Sequence, residues 1–326
     1  ASPTPGTAPS VGHADPRPTV WPRKDPEMQI TIGDHEIEFG PKSLRLSADS
    51  AESPPYEHLE LRPVTPYIGA EISGVDLADP TPDQIDELKR ALLERKVLFF
   101  RDQQHVTARQ HRDFAAHWGD LEVHPMLAQG EIPEVVRFDR GHDNPGNENI
   151  WHVDVSWQQR PPLGSVLRAI DVPDAGGDTL WSDMGNAYDA LPDHIKARID
   201  GLTATHDFTP SFGLAMTPEK LAEMQKTYPP QHHPVVRTHP ETGRKLLFVN
   251  SLFTTHIDGI DPVEGKELLR RLIDQVKMPD FQVRLRWAPG TVAFWDNRAT
   301  HHYACSDYFP NRRVMERVAI VGDVPA

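Results

Sequence analysis

The feature that most restricts the fold of this chain is a His-x-Asp pair in an apolar, β-branched setting, WHVDVSW at residues 151–157. Side chains alternate between the two faces of a strand, so an extended backbone here predicts that His152 and Asp154 project together. One imidazole and one carboxylate supply two of the three ligands of the facial triad that holds non-haem Fe(II). Because an isolated His-x-Asp is common, the prediction needs a third ligand from elsewhere in the chain.

A second source of histidine lies near the C-terminus, in the run FWDNRATHHYA at residues 294–304. His301 and His302 are adjacent there and would occupy opposite faces of a strand, so they are rivals for the third ligand position. Arg312 and Arg313 follow closely. When a metal chelates one end of 2-oxoglutarate, the far carboxylate needs a cation that can bind it with two hydrogen bonds, and arginine suits that task. The two regions together indicate a site for Fe(II) and 2-oxoglutarate.

A series of motifs then makes the sequence similar to the taurine dioxygenase family of Fe(II)/2-oxoglutarate enzymes, from about Leu59 to the C-terminus. In family order they are WHxD at 151–154, GGDTLW at 176–181, HPVVRTHP at 233–240, FVN at 248–250, FTT at 253–255, WDNR at 295–298 and RR at 312–313. The resemblance implies a β-rich α+β fold. Its core would be a double-stranded β-helix (jelly-roll) with covering helices and the metal at its mouth.

The resemblance also implies which residues bind iron. These are His152, Asp154 and His302, because the family's spacing from Trp295 matches His302 and not His301. A carboxylate at Asp154 fills the coordination position that related halogenases leave open for chloride. Hydroxylation is therefore expected rather than halogenation.

The residues expected to hold 2-oxoglutarate match as well. Arg313 corresponds to the family arginine that binds the C5 carboxylate, and Thr179 to the hydroxyl that assists it. Arg312 is expected to be a solvated charge. Trp295 corresponds to an aromatic residue that packs behind the metal. The resemblance thus implies Fe(II) as the metal cofactor and 2-oxoglutarate and O2 as cosubstrates.

The positions that correspond to the family's substrate pocket are His124, Leu127, Glu148, Phe212, Phe253 and Arg317. Arg317 lies four residues after Arg313, so a strand would place both on one face, which suits one arginine for the cosubstrate and one for an anionic substrate. Taurine dioxygenase itself has Tyr and Asn where this sequence has Leu127 and Glu148. Either Glu148 faces the pocket and pairs with a substrate ammonium or a nearby arginine, or it points to solvent from its loop.

The favoured function is hydroxylation of a C–H bond in a small anionic substrate. A sulfonate or sulfate ester fits, with collapse of the product to sulfite or sulfate and an aldehyde. An amino-acid-like or other carboxylate metabolite is the alternative substrate. A non-catalytic jelly-roll that binds a metal fits less well because the triad is intact. A zinc hydrolase would leave Arg313 and Thr179 without a task.

The composition restricts the partners and the compartment. A formal net charge of −14 opposes binding to nucleic acid phosphates. The chain has no run approaching the roughly 20 apolar residues of a membrane span. The single cysteine, Cys305, rules out an internal disulfide framework and fits a reducing cytoplasm. The sequence leaves a homo-oligomer open.

Two regions are expected. Residues 1–58 read as a Pro-rich extension and linker, with a hairpin formed by Gln29–Ile32 and Glu36–Phe39, and residues 59–326 as the dioxygenase domain. Helices are predicted from capping and periodicity near Thr81, Thr107, Met184, Pro192, Pro218 and Pro262. Strands are predicted at the His-x-Asp segment and at residues 59–62, 97–100, 165–170, 235–237, 246–250, 282–287, 291–295 and 313–321. The regular βαβ alternation of a doubly wound fold is absent.

Overall fold

The computed structural model describes residues 29–32, 35–38 and 54–326, and these fall into two units. The first is a hairpin in which β1 (Gln29–Ile32) pairs antiparallel with β2 (His35–Glu38), which begins one residue before the predicted second strand. The remaining parts of the predicted extension and linker, residues 1–28, 33–34 and 39–53, lie outside the described residues.

The body of the protein, residues 54–326, combines many short strands with fewer helices. Its strands are β3 (Glu60–Pro63), β4 (Ala70–Ser73), β5 (Val97–Phe100), β6 (Val135–Arg140), β7 (Gly164–Asp171), β8 (Thr179–Asp183), β9 (Thr203–His206), β10 (Gln231–Pro234), β11 (Val236–Thr238), β12 (Lys245–Leu247), β13 (Thr254–Ile257), β14 (Gln282–Leu285), β15 (Val292–Asp296), β16 (Thr300–Ala304) and β17 (Arg313–Ile320). Its α-helices are α1 (Pro82–Arg95), α2 (Ala108–Ala115), α3 (Met184–Asp189), α4 (Asp193–Ile199), α5 (Pro218–Thr227) and α6 (Pro262–Ile273). Each helix begins at or next to its predicted first residue.

Two sheets of the body face each other across an apolar layer. The larger has the order β3-β4-β5-β15-β7-β17-β6, and the smaller the order β14-β8-β16. Among the described strands of the larger sheet, β4 and β5 form a parallel pair and the other neighbours are antiparallel. The layer between the sheets contains Val97, Phe99, Leu167, Trp181, Val283, Leu285, Trp295 and Met315. This is a sandwich of mainly antiparallel strands and not a doubly wound parallel sheet.

Helices α1 and α2 cover the outer face of the larger sheet. The cluster there contains Leu88, Leu92, Phe100, Phe114, Phe294 and Val318. The central strands β5 and β15 are therefore buried on both faces, which explains their continuous apolar runs.

The start of α1 shows how local sequence sets these elements. Thr81 and Gln84 form a reciprocal capping box, with the Thr81 hydroxyl accepting from the Gln84 amide and the Gln84 side chain accepting from the Thr81 amide. The helix ends at Arg95, and its C-cap residue, Lys96, has a left-handed φ of 63° and leads directly into β5. The Lys96 ammonium lies 2.9 Å from the buried carboxylate of Asp183, at the end of β8. This ion pair connects the two sheets.

The segment between β8 and β14 forms a second apolar cluster beside the sandwich. Helices α3, α4 and α6 pack there around Leu191, Ile199, Val249, Leu269 and Leu272. Strands β9 and β13 in this segment were missed in the sequence because Thr-Ala-Thr-His and Thr-Thr-His-Ile have no clear apolar alternation. None of the described helices has the length and apolar character needed to span a bilayer.

Candidate metal centre

The centre is built on a backbone contact between two histidines that are far apart in sequence. The amide of His152 donates to the carbonyl of His302 (3.0 Å), and the amide of His302 donates to the carbonyl of His152 (2.9 Å). His302 lies on β16, which pairs with β8. This isolated bridge brings the two rings to a centroid distance of 4.1 Å.

Asp154 reaches the same point from a turn and not from a strand, which corrects the sequence prediction. The residues after His152 form a turn in which Val155 has a left-handed φ of 49°. Asn297 holds this turn: its side-chain oxygen accepts from the Asp154 amide (3.0 Å), and its side-chain nitrogen donates to the Asp154 carbonyl (3.2 Å). The predicted convergence of His152 and Asp154 is present, although its cause is this turn.

The three side chains form a compact set of possible ligands. Oδ1 of Asp154 lies 3.8 Å from Nε2 of His152 and 3.7 Å from Nε2 of His302. Among the described residues, this is the one group of three or more His, Cys, Asp or Glu side chains whose ligand atoms all lie within 4.8 Å of one another. Two imidazoles and one carboxylate are the donor set of a non-haem iron triad, so the residues present fit iron.

The hydrogen bonds and charges support ligand chemistry. Nδ1 of His152 donates to the carbonyl of Ile150 (2.8 Å), which leaves the Nε2 lone pair directed at the centre. Burial lowers the pKa of His152 and of His302, so both rings are neutral, as metal ligands must be. Burial opposes ionisation of Asp154, but the pKa of that carboxyl is held below its ordinary value, mainly by the charge of Arg317 and also by the hydrogen bond from Ser165.

His301, the rival ligand, lies elsewhere. It is buried on β16, and neither of its ring nitrogens has a hydrogen-bond partner among the described residues. Its neighbour His302 contacts Trp295 at a ring-centroid distance of 4.9 Å, so Trp295 packs behind a proposed ligand. The structure therefore joins His302, and not His301, to His152 and Asp154.

Arg313 is buried at the start of β17. Its Nε donates to the carbonyl of Gly177 (3.1 Å), while Nη2 is buried without a partner in the described part of the chain. The rings of Trp287 and Tyr308 lie 5.9 and 5.8 Å from its guanidinium carbon. Such a free, buried donor is suited to a carboxylate from outside the protein.

Thr179 and Arg312, the two other residues considered for the cosubstrate, differ in burial. Thr179 is buried, and its hydroxyl accepts a hydrogen bond from the indole of Trp287 (3.0 Å). Arg312 is exposed and forms a two-point ion pair with Asp139 (3.0 and 2.6 Å). Arg312 is therefore a surface charge, whereas Arg313 is buried.

The proposed substrate residues His124, Phe212 and Phe253 lie together. The ring of Phe212 is 5.7 Å from that of His124 and 6.2 Å from that of Phe253, with which it is stacked. His124 is buried, and burial followed by the charge of Arg317 lowers its pKa to about 4. Leu127 is partly exposed on the adjoining loop. Apolar rings and a neutral imidazole thus line a wall near Arg317.

Arg317 contacts the centre directly. Its Nη1 donates to Oδ1 of Asp154 (2.6 Å), and Ser165 donates its hydroxyl to Oδ2 (3.0 Å). Glu122 lies close enough to Arg317 for the arginine's charge to act on its carboxyl group. Its Oε2 is buried without a partner among the described residues. Ser165, Asn297 and Glu122 were not assigned roles from the sequence. Only Asn297 had a signal there, as part of the WDNR motif.

Glu148 is half-buried and forms an ion pair with Arg140, whose Nε donates to its Oε1 (2.7 Å). The Asn147 amide donates to its other oxygen (3.0 Å). Of the alternatives left open by the sequence, the structure shows pairing with a nearby arginine.

Comparison with known proteins gives a consistent result. The family model for taurine catabolism dioxygenase TauD, TfdA family, matches residues 60–319. An alkylsulfatase of Acinetobacter baylyi is 35% identical, over 83% of this chain and 87% of the relative. An alpha-ketoglutarate-dependent sulfate ester dioxygenase of Pseudomonas putida is 34% identical, over 86% of this chain and 95% of the relative.

Solved structures agree with these sequence relatives. A taurine dioxygenase from Burkholderia xenovorans has a TM-score of 0.72 and 36% identity, covering 83% of this chain and 91% of that one. The structure of AAD-2 in complex with Mn(II) and N-oxalylglycine has a TM-score of 0.71 and 30% identity, covering 82% of this chain and 98% of that one. The predicted jelly-roll core with covering helices is confirmed.

Proposed function

Because this chain belongs to the TauD, TfdA family and is an Fe(II)- and 2-oxoglutarate-dependent dioxygenase, we propose that it oxidises a sulfate ester or sulfonate that carries an apolar chain. The observation that carries this proposal is the position of Arg317, which contacts Asp154 and is close enough to His124 to lower its pKa, while His124 in turn contacts the ring of Phe212. A cation beside the triad and an apolar surface next to it suit an anion with a hydrocarbon tail.

In this proposal residues 59–326 form the catalytic domain, and His152, Asp154 and His302 hold the iron. Arg313 and Thr179 bind the C5 carboxylate of 2-oxoglutarate. When bound, iron and 2-oxoglutarate supply the oxidising chemistry that inserts one oxygen atom of O2 into a C–H bond and converts 2-oxoglutarate to succinate and CO2. The protein's own residues position the substrate and keep water from the centre.

The acid group of the substrate would lie between Arg317 and His124. The Met126 amide donates to Nδ1 of His124 (3.1 Å), so the neutral ring carries its proton on Nε2. That N–H can donate to a sulfate oxygen, while Arg317 supplies the positive charge. A neutral donor and one cation suit a monoanion such as a sulfate monoester or a sulfonate.

The hydrocarbon part of the substrate would contact the aromatic cluster. Phe212, together with Met126, Met216 and Leu221, packs there against a buried cluster that includes Phe253. Leu127 adds an alkyl group where taurine dioxygenase itself has a phenol. Each methylene that leaves water against such a surface contributes roughly 0.8 kcal/mol to binding, so affinity should rise with chain length.

Glu148 supports a substrate without an amine. Its carboxylate is already paired with Arg140 and with a backbone amide, so no substrate ammonium is needed to neutralise it. A substrate with an acid at one end and an amine at the other, such as taurine, therefore gains little at this position. An alkyl sulfate or alkyl sulfonate fits better.

The overall reaction of an alkyl sulfate balances as follows. One oxygen atom from O2 enters the C–H bond next to the ester oxygen, and the other enters succinate. The hydroxylated carbon then loses the ester oxygen with the sulfate group, and its hydroxyl proton leaves as the C=O bond forms. The products are an aldehyde, hydrogen sulfate, succinate and CO2.

The lone, half-buried Cys305 is compatible with a reducing compartment, and we propose a cytoplasmic location.

A substrate series tests this proposal. Purified enzyme with Fe(II), 2-oxoglutarate and O2 would be given n-alkyl sulfates of increasing length, the matching sulfonates, taurine and an aryloxyacetate. We expect succinate and sulfate to form in equal amounts with the alkyl sulfates, and kcat/KM to rise with chain length. Omitting 2-oxoglutarate should stop sulfate release, which would exclude simple hydrolysis.

Phe212→Ala provides the structural control. It removes part of the apolar wall, so it should reduce the gain per methylene while leaving turnover of the shortest sulfate nearly unchanged. Turnover of taurine at least as fast as that of any alkyl sulfate would refute the proposal. Turnover confined to the aryloxyacetate would assign a carboxylate substrate instead.

A further inference from the structure

Two loops of the protein meet over Arg313. Residues 141–150 connect β6 to His152, and residues 305–312 connect β16 to β17. Their outer contact is a stack of His142 on Phe309, with ring centroids 5.9 Å apart and an interplanar angle of 25°. The two loops therefore join the segment that carries the triad to the strand that begins with Arg313.

The inner contact between the loops is closer and involves Gly146 and Tyr308. A Cβ atom added to Gly146 would overlap the Tyr308 hydroxyl oxygen and would lie 3.1 Å from Cζ of Tyr308 and from Oε2 of Glu148. Tyr308 is only 4% exposed, so its ring has little freedom to move away. The missing side chain at Gly146 is thus what allows the first loop to lie against the tyrosine.

Tyr308 in turn packs on Arg313. Its ring centroid is 5.8 Å from the guanidinium carbon. Gly177 lies between them, because an added Cβ there would be 2.9 Å from Cδ of Arg313 and 3.2 Å from Cδ1 of Tyr308. With Trp287 also beside the guanidinium, Arg313 is held between two rings, which limits the conformations of its fork before any ligand arrives.

The ion pair of Arg140 and Glu148 anchors the first loop in this position. Arg140 is the cross-strand partner of Arg313, so the two arginines extend from neighbouring strands on the same face of the sheet. Glu148 and the side chain of Asn144 accept hydrogen bonds from Arg140. These acceptors hold the guanidinium of Arg140 against the loop of residues 141–150. Nη2 of Arg313 remains the unpaired donor among the described residues.

We propose that Tyr308, seated by Gly146 and by the Arg140–Glu148 pair, is a positioning residue for 2-oxoglutarate that closes the carboxylate end of its pocket. The proposal rests on the assignment of Arg313 to the cosubstrate made under the proposed function. It gives Glu148 a task on the cosubstrate side, although its position corresponds to a substrate contact in the resembled family. Binding of the prime substrate should not depend on these contacts of Tyr308.

The test measures binding of N-oxalylglycine, a 2-oxoglutarate analogue, to the Mn(II)-loaded protein by calorimetry, without turnover. Gly146→Ala should disrupt the contact between the first loop and Tyr308, and we expect about tenfold weaker binding, which corresponds to about 1.4 kcal/mol. Tyr308→Phe removes the atom that clashes most. The double variant Gly146→Ala/Tyr308→Phe should therefore recover most of the lost affinity.

Gly130→Ala is the matched control, because an added Cβ there meets no atom within 4 Å. It should bind N-oxalylglycine like the wild type, and all variants should keep their Mn(II) affinity. Tyr308→Ala, which only removes atoms, gives a second route to the same weakening if Gly146→Ala does not fold. A merely structural role would lower the melting temperature of Gly146→Ala without this pattern of rescue.

The outcomes separate this inference from the proposed function. The role of Tyr308 would be overturned if Gly146→Ala and Tyr308→Ala both bound N-oxalylglycine like the wild type, or if the double variant showed no recovery. The assignment of Arg313 to the cosubstrate would be unaffected by either result. Failure of the wild type to bind N-oxalylglycine would overturn the Arg313 assignment and the inference with it. Normal binding and the expected rescue, without turnover of any organosulfur compound, would support the inference and refute the proposed substrate.

Discussion

Nη1 of Arg317 donates a 2.6 Å hydrogen bond to Oδ1 of Asp154, the same oxygen that faces the Nε2 atoms of both triad histidines. A metal at the centre would compete with Arg317 for this oxygen. Ser165 holds the other carboxylate oxygen, so the carboxylate cannot simply rotate to serve both. Metal binding should therefore free donors of Arg317, which then face the proposed anion site.

The first prediction concerns Arg317→Ala. Loss of a charge-assisted contact of roughly 1.5–3 kcal/mol should lower kcat/KM for an alkyl sulfate by about 10- to 100-fold. Mn(II) affinity without substrate should stay equal or increase, because a competitor for Asp154 is removed. Calorimetry with Mn(II) and steady-state kinetics measure the two effects. Arg137→Ala, at a half-exposed arginine on β6, is the control. A folded Arg317→Ala protein that no longer binds Mn(II) would contradict this account.

The second prediction separates the adjacent histidines. His302→Ala should abolish Mn(II) binding, as should His152→Ala and Asp154→Ala, since each removes one of three ligands. His301→Ala should retain metal binding, although it leaves a cavity in the interior and should lower the melting temperature. Metal binding would be followed by calorimetry on folded protein. Loss of metal in His301→Ala with retention in His302→Ala would show that the wrong histidine was chosen.

The third prediction compares the adjacent arginines. Arg313→Ala should weaken 2-oxoglutarate binding by about 10- to 100-fold, in line with the loss of a bidentate, charge-assisted contact. Arg312→Ala, the matched control, should have little effect because its partner is the surface residue Asp139. Thr179→Val should have a smaller effect than Arg313→Ala, since it removes one hydroxyl. An unchanged apparent 2-oxoglutarate affinity in Arg313→Ala would overturn the cosubstrate assignment.

Local signals in the sequence were sufficient for the helices and for the central strands. Capping residues mark where α1 and α2 begin, and continuous apolar runs mark β5 and β15, because these features depend on nearby residues alone. The polar strands β9 and β13 lack such a signal, and only their neighbours in the fold make them strands.

The site shows the same division between local and distant causes. The order of motifs led to His152, Asp154 and His302, which the structure brings together. The turn that aims Asp154 could not be predicted, because it depends on Val155 in a left-handed conformation and on Asn297, which is distant in sequence. The pairing of Glu148 with Arg140 was likewise hidden, since a loop carboxylate has several possible partners until the fold selects one.

The fourth prediction is a loss of stability in mild acid that is caused by buried histidines. His111 is 2% exposed, and burial, followed by the charge of Arg168, lowers its pKa to about 4, although Glu316 and the Val166 carbonyl act in the opposite direction. An unfolded histidine has a pKa near 6.5, so between these values the unfolded chain binds the proton that the folded chain excludes. The stability is therefore complete above about pH 6.5 and falls as the pH drops toward 4.

The measurement is chemical denaturation of the metal-free protein at about pH 7.5 and about pH 5, with His111→Gln beside the wild type. Glutamine can still donate to the Val166 carbonyl but does not titrate, so the variant should lose less stability between the two pH values. A fully buried histidine shifted this far contributes up to about 3 kcal/mol over the whole titration, and roughly 2 kcal/mol of it falls within this interval. His194→Gln, at an exposed position on α4, is the control for the substitution itself. Equal pH dependence in His111→Gln and wild type would show that His111 does not resist protonation in the folded protein.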